Sequence, residues 1–421
     1  MRILLVGAGG FIGRHLHAAL CAAGHTVLAS ARRPESAAPG DWCRLDLAEL
    51  ARDPQAFAWP AGIELVINAA GLLSTDRAQL DEVQHLGACA LFELAAAHGA
   101  RVLQISALGA EDGPDTEFLA SKVAAERHLL KLGIPAVVLR PSLVLGPGAA
   151  SSRWLLRLAP WPLAPLLDNR ARLQPLHVDD LCAAVLALLG RWPAQPCSLA
   201  LVGPEALTQG QLLDRLRAAQ GWRPGRYWTL PRPLAALGAL LGERLGWRAL
   251  NRQTLRLARR DNLASAEPLA ETCGYRCLPL AARLHDWPRA ADSAALLMPG
   301  VLLALLVLVW LGTALACLGP GFAWGLRILA EAGIDGWPAR LAVLGGALLD
   351  AALGIGLLLR RWRRRALQAQ IALMLGYSAL IAWLLPHYWF DPFQGVGKNL
   401  VLLGASLWLL WLQPSGGRPR G

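Results

Sequence analysis

The feature that most constrains this chain is the position of its first glycines. An apolar run, Arg2-Ile3-Leu4-Leu5-Val6, leads directly into Gly7-Ala8-Gly9-Gly10-Phe11-Ile12-Gly13, and a helix-forming stretch, Arg14–Ala23, follows. Glycines let the backbone turn sharply from a buried strand into a helix, with N–H groups free to approach an anion closely. Strand, glycine turn and helix in this order predict a pyrophosphate seat formed by Gly7, Gly10, Phe11, Ile12 and Gly13. They predict a dinucleotide-binding α/β fold.

The next 200 residues fit that reading. Apolar runs at 2–6, 26–30, 64–68, 101–105, 135–140 and 197–202 alternate with Ala/Leu-rich helical stretches, the pattern of a doubly wound parallel sheet. From about 203 to 290 the chain becomes irregular and rich in Pro, Trp and Arg, with Leu234–Leu250 reading as an amphipathic or largely apolar helix. This part is expected to form a small substrate lobe. Residues 1–290 thus read as one α/β domain, and 291–421 as a second, all-α domain.

In the second domain the hydropathy changes. Apolar segments at about 296–318, 341–359, 366–385 and 399–413 predict four transmembrane helices. Arg360-Arg361-Trp362-Arg363-Arg364-Arg365 joins the second and third, and the positive-inside rule puts it in the cytoplasm. Counting spans then puts residue 293, Arg418 and Arg420 on the same side, so both termini are expected inside a bacterial inner membrane. The run is also suited to contact with anionic lipid. Asp350 lies mid-span, where an ionisable residue is a functional candidate. His387, Tyr388, Asp391 and Lys398, with Trp383 and Trp389, are expected at the outer interface as an anchor or as a ligand or proton site.

Basic charge does not point to nucleic acid. Of 41 basic residues only Lys122, Lys131 and Lys398 are lysines, the net charge of +11 is spread along the chain, and no nucleic-acid motif accompanies it. The eight cysteines are scattered and read as reduced thiols; Cys273 and Cys277 lack the partners of a zinc site, so no metal is expected. The strand 26–30 is followed by Arg32-Arg33 where an acidic residue would select NAD(H). Arginine suits a 2′-phosphate, so NADP(H) is favoured over NAD(H). Asp46 fits beside the adenine, and Asn68-Ala69-Ala70-Gly71 forms a small-residue turn against which a cofactor can lie.

Residues 1–290 resemble the extended or atypical short-chain dehydrogenase/reductases. The resemblance rests on Gly7-x-x-Gly10-x-x-Gly13, Asn68-Ala69-Ala70-Gly71, Ile105-Ser106-Ala107, Ser121-Lys122, Arg140-Pro141-Ser142 and Gln174-Pro175-Leu176-His177-Val178-Asp179-Asp180. It implies a Rossmann domain in which Ser106 orients substrate, Pro141 borders the cofactor, and Lys122 binds the nicotinamide ribose. The family's proton donor is a tyrosine four residues before that lysine; here the position is Phe118. A positioned proton donor needs a titratable group, so three readings stand. One is a reductase with another donor (Lys122, Ser106 or Asp115) or a substrate such as a quinone. Another is a non-catalytic assembly or redox-sensing module like the nucleotide-binding accessory subunit of respiratory complex I. The third is nucleotide-sugar epimerase or dehydratase chemistry. His177 and Asp179 fit either the nicotinamide end or a structural junction. Residues 294–415 resemble the four-helix DoxX-like family through span spacing, Asp391-Pro392-Phe393 and Lys398-Asn399-Leu400. The expected function is that of a membrane-tethered NAD(P)H oxidoreductase, its partner a hydrophobic small molecule or a membrane protein.

Overall fold

The structure, a computed structural model, describes residues 1–32, 40–72, 74, 76–110, 116–161, 163–244, 251–285, 287–390 and 396–413. The chain divides into two compact units, Met1–Ser293 and Ala294–Gly421.

The first unit is built on seven parallel strands: β1 (Arg2–Val6), β2 (Thr26–Ala31), β3 (Asp41–Arg44), β4 (Leu65–Asn68), β5 (Arg101–Ile105), β6 (Ala136–Pro141) and β7 (Cys197–Leu201). Their spatial order is β7-β6-β5-β4-β1-β2-β3, so the strand order reverses between β1 and β4. Crevices at such a reversal, beyond the carboxyl ends of the strands, are where this architecture binds ligands. The register aligns those ends: Val6 pairs with Ser30 on one side and with Asn68 on the other. The inner strands are apolar on both faces. Ile3, Leu5, Leu65 and Ile67 face one core, while Leu4, Val6, Val66 and Val102 face the other. Continuous apolar runs are required when helices cover both faces of a parallel sheet. β3 lacks such a run; its Asp-Trp-Cys-Arg sequence lies at the edge of the sheet and gives no apolar signal.

Four helices position the site: α1 (Phe11–Ala22), α2 (Gly87–Ala97), α3 (Glu117–Lys131) and α4 (Val178–Gly190). A π-helical turn, Asp81–Leu86, leads into α2; such turns often mark functional sites. The region expected as a substrate lobe, 203–290, is joined by earlier chain. Its strand Arg226–Thr229 pairs in parallel with Leu163–Leu166, and Leu207–Thr208 pairs with Arg172–Leu173, so the lobe recruits chain that precedes β7. The expected helix over 234–250 appears as α5 (Arg232–Arg244), and 245–250 lie outside the described residues.

Helix α6 (Ala290–Leu318) begins in the first unit and continues into the second, which also contains α7 (Phe322–Glu331), α8 (Gly336–Leu358), α9 (Arg363–Leu384) and α10 (Lys398–Trp411). Among the described residues, α6, α8 and α9 are long and apolar enough to cross a membrane. The fourth expected span is a 14-residue helix, α10. At 1.5 Å per residue that falls short of a hydrocarbon core about 30 Å thick. The sequence reading missed α7, because its first residues continue the uncharged run that starts in α6. This is a membrane protein.

Candidate functional site

The glycine turn is fixed by contact. Gly7 has φ +79°, and a Cβ there would lie 2.8 Å from backbone atoms of Ala70. A Cβ on Gly13 would strike the Gly7 carbonyl, so helix α1 packs on the turn only if that position is glycine. Gly10 N–H donates to the Gly7 carbonyl at 2.9 Å, closing the turn. Gly10 caps α1 without a side chain, so no side-chain acceptor competes for the N–H groups of its first turn. A Cβ on Gly9 would meet open space. This cradle fits a pyrophosphate, with Phe11, Ile12 and Gly13 offering the helix N-terminus.

Neighbouring strand ends complete the seat. Asn68 is buried, and its two amide atoms have separate tasks. The oxygen accepts from the Ala70 N–H at 3.1 Å, and the nitrogen donates to Gln104 Oε1 at 2.8 Å. Asn68 therefore shapes the turn that carries Ala69 and Ala70 against Gly7. Ser30, at the end of β2, is fully buried, and among the described residues its hydroxyl has no partner. An orphaned hydroxyl beside the glycine turn is what an adenosine-bearing ligand would satisfy. Arg32 is exposed just beyond; Arg33 lies outside the described residues. Asp46 accepts from the Ala48 N–H at 2.9 Å, capping the short helix Leu47–Arg52.

The chemical end of the site is a buried charge network. Lys122 is 5% exposed, its Nζ 3.3 Å from the Ile105 carbonyl and 5.7 Å from the Phe118 ring centroid. Burial pushes its ammonium down to about 8, against a smaller upward pull from Glu126. Glu126, one helical turn further along α3, is 2% exposed. One carboxylate oxygen accepts from Ser106 Oγ. The other accepts from Arg140 Nε at 2.9 Å and Nη2 at 2.6 Å. The structure thus brings Ser106, Lys122 and the strand carrying Pro141 together, but it directs the Ser106 hydroxyl to Glu126. Pro141 holds the loop after β5 through its carbonyl, which accepts from the Leu108 N–H at 3.0 Å. Sequence reasoning missed Glu126, although its i,i+4 spacing from Lys122 was a visible signal. It also missed Gln84, whose amide bridges the Leu72 carbonyl and Ser121 Oγ at 3.2 and 3.4 Å, tying the π turn to α3.

The two tyrosines of this unit are engaged elsewhere. The Tyr227 hydroxyl donates to Asp214 at 2.5 Å and that of Tyr275 to Asp180 at 2.6 Å. Asp115 lies outside the described residues. His177 is the N-cap of α4, accepting from the Asp179 N–H at 3.3 Å, and burial lowers its pKa. His177 therefore serves as a helix cap at this junction. Asp180 is fully buried and accepts from Tyr275, the Leu278 N–H and Arg283.

In the membrane unit Asp350, Gln370, Ser406 and Trp310 are buried on four different helices. Among the described residues, one oxygen of Asp350, both amide atoms of Gln370, the Ser406 hydroxyl and the Trp310 indole N–H have no partner. Tyr388 donates to Glu331 at 3.0 Å, and His387 lies 3.6 Å from the same carboxylate, so this part of the expected interface cluster is tied to the end of α7. Asp391, Arg418 and Arg420 lie outside the described residues.

Comparison with known proteins agrees with both halves. Residues 3–196 match the NAD dependent epimerase/dehydratase family, and residues 307–407 match the DoxX-like family. The chain joins an epimerase/dehydratase-type Rossmann domain to a DoxX-like domain. Ceramide reductase of Caulobacter vibrioides is 29% identical over 306 residues, covering 69% of this chain and 95% of that protein. Subunit 9 of the NADH dehydrogenase [ubiquinone] 1 alpha subcomplex of Arabidopsis thaliana is 28% identical over 242 residues, 54% of this chain and 60% of that one. Among solved structures, UDP-glucose 4-epimerase of Thermotoga maritima aligns with TM-score 0.52 at 17% identity, covering 68% of this chain and 96% of that one. UDP-N-acetylglucosamine 4-epimerase of Bacillus cereus aligns with TM-score 0.53 at 14% identity, covering 68% and 97%. These structures share the fold. The N-terminal unit is of the NAD(P)-dependent oxidoreductase type.

Proposed function

We propose that this chain is a membrane-held, NADP(H)-dependent reductase of a lipid-soluble carbonyl compound, with Lys122 in place of the missing tyrosine as proton donor. The observation that carries the proposal is the buried Lys122 ammonium beside Phe118, brought down to about 8. A donor works best when its pKa lies near the working pH. A bound nicotinamide supplies the hydride. Lys122 holds the ribose hydroxyls and transfers a proton to the carbonyl oxygen. Ser106 acts as a positioning residue, since its hydroxyl braces Glu126. Gly7, Gly10, Phe11, Ile12 and Gly13 seat the pyrophosphate, while Asn68, Ala69 and Ala70 form the wall beneath it and Pro141 the border at the nicotinamide end. Arg32 meets the 2′-phosphate and Asp46 the adenine.

Fusion to a membrane unit supports a substrate drawn from the bilayer, because tethering raises the effective concentration of one partner near the other. The ceramide reductase relative supports a sphingoid-type lipid ahead of a quinone. The proposed setting is a bacterial inner membrane with the nucleotide domain on the cytoplasmic side. In full-length protein reconstituted into liposomes, NADPH oxidation is expected with a long-chain lipid ketone. Phe118→Tyr is expected to raise that rate about tenfold or more, within the contribution usual for a positioned acid. Failure of every lipid ketone and quinone to oxidise NADPH would defeat the proposal. Phe118 also favours a second reading, a nucleotide-binding assembly or sensor module. In that case NADPH binds tightly, alters partner binding and is not consumed.

A further inference from the structure

Helix α5 buries two alanines and exposes three leucines. Ala235 and Ala239 are buried against Leu167 and Leu255, whereas Leu234, Leu237 and Leu241 are 52%, 52% and 46% exposed. A helix that serves only a soluble core has the opposite pattern. The three leucines follow i, i+3, i+7 spacing and form one stripe. The strand just before α5 presents Trp228 outward, and its partner strand presents Leu163, with Trp161 two residues earlier; all three are more than 40% exposed. Arg226, the register partner of Leu163, and Arg232, two residues before Leu234, are also exposed.

We infer that this face of the substrate lobe lies on an anionic lipid bilayer, with the α5 leucines in the acyl boundary and Arg226 and Arg232 at the headgroups. Leucine stripe, tryptophan and arginine are the composition of an interfacial helix, and each arginine near an anionic surface adds to the attraction. The chain itself points to the occupant, since the first unit is covalently joined to a second whose helices are long and apolar enough to cross a membrane. The inference does not depend on turnover.

The test uses full-length protein reconstituted into liposomes of phosphatidylcholine with phosphatidylglycerol, bearing a photoreactive phenylalanine analogue at Leu237 or, as control, at exposed Gln79. Strong lipid adducts at 237 and little at 79, weakened when phosphatidylglycerol is left out, are expected. A combined Leu234→Ser, Leu237→Ser and Leu241→Ser variant should lose hydrogen-exchange protection in α5 while β1, β4 and β5 keep theirs, which separates undocking from unfolding. Adducts to protein alone, or no excess at 237 over 79, would overturn the inference and leave a protein partner or solvent as the occupant.

Discussion

Around Lys122, buried charge is matched: Glu126 takes Arg140 on one oxygen and Ser106 on the other. In the membrane unit, Asp350, Gln370, Ser406 and Trp310 are buried just as deeply, with polar atoms that lack partners among the described residues. The difference follows from what each unit leaves behind on folding. Residues 1–293 fold out of water, so an unmatched buried charge forfeits its hydration. A helix already in the bilayer has no such hydration to lose, which lowers the stake of each polar group. Buried carboxylates in the first unit are thus ion-paired, Glu126 with Arg140 and Asp180 with Arg283, although single atoms such as the Ser30 hydroxyl have no partner among the described residues. In the second, polar atoms can be kept in reserve.

Four experiments can break or sharpen this contrast. Glu126→Ala removes the buried carboxylate shared by Ser106 and Arg140 and should destabilise the N-terminal unit by about 3–5 kcal/mol, measured by denaturant unfolding. Little change would mean that the network is dispensable. Lys122→Ala should weaken NADPH binding by about 2 kcal/mol, the worth of a hydrogen bond from a charged donor, measured by nicotinamide fluorescence. Burial lowers the Lys122 pKa from 10.5 to about 8. The cation is therefore present below pH 8 and lost above it, so affinity should fall as pH rises through 8 and should not fall in Lys122→Arg. Stability runs the other way: the unfolded chain keeps this proton to near 10.5, so the lysine's unfavourable contribution shrinks as pH rises from about 8 to 10.5. On the proposed cofactor assignment, Arg32→Ala should reduce a preference for NADPH over NADH about tenfold, roughly 1.4 kcal/mol, because the exposed charge proposed to meet the 2′-phosphate is removed. Gln370→Leu should change the thermal stability of the full chain in nanodiscs by less than about 1 kcal/mol, in the stabilising direction. A loss as large as that of Glu126→Ala would show the membrane unit to be paired after all.

Much of the first unit was legible because its signals are local. The apolar runs give six strands, and the Gly7, Gly10 and Gly13 spacing marks the turn. Three things were not legible. The edge strand β3 has no apolar run to announce it. Glu126 lies in a helix whose i,i+4 spacing alone cannot tell a buried carboxylate from a surface ion pair. The direction taken by the Ser106 hydroxyl depends on α3 and β6 meeting, which is a tertiary fact. In the second unit hydropathy gave the spans. It could not divide α7 from α6 or show that α10 is short, because uncharged residues run through both boundaries.

Asp180 gives the first unit an internal seam. It is the shared acceptor for Tyr275, the Leu278 N–H and Arg283, all on the last stretch of chain before α6. A fragment ending before 275 would keep the whole sheet and the glycine turn and yet lose every one of these donors. A piece that keeps the dinucleotide fold with Asp180 fully engaged must therefore reach past Arg283, well beyond the point where the sheet ends.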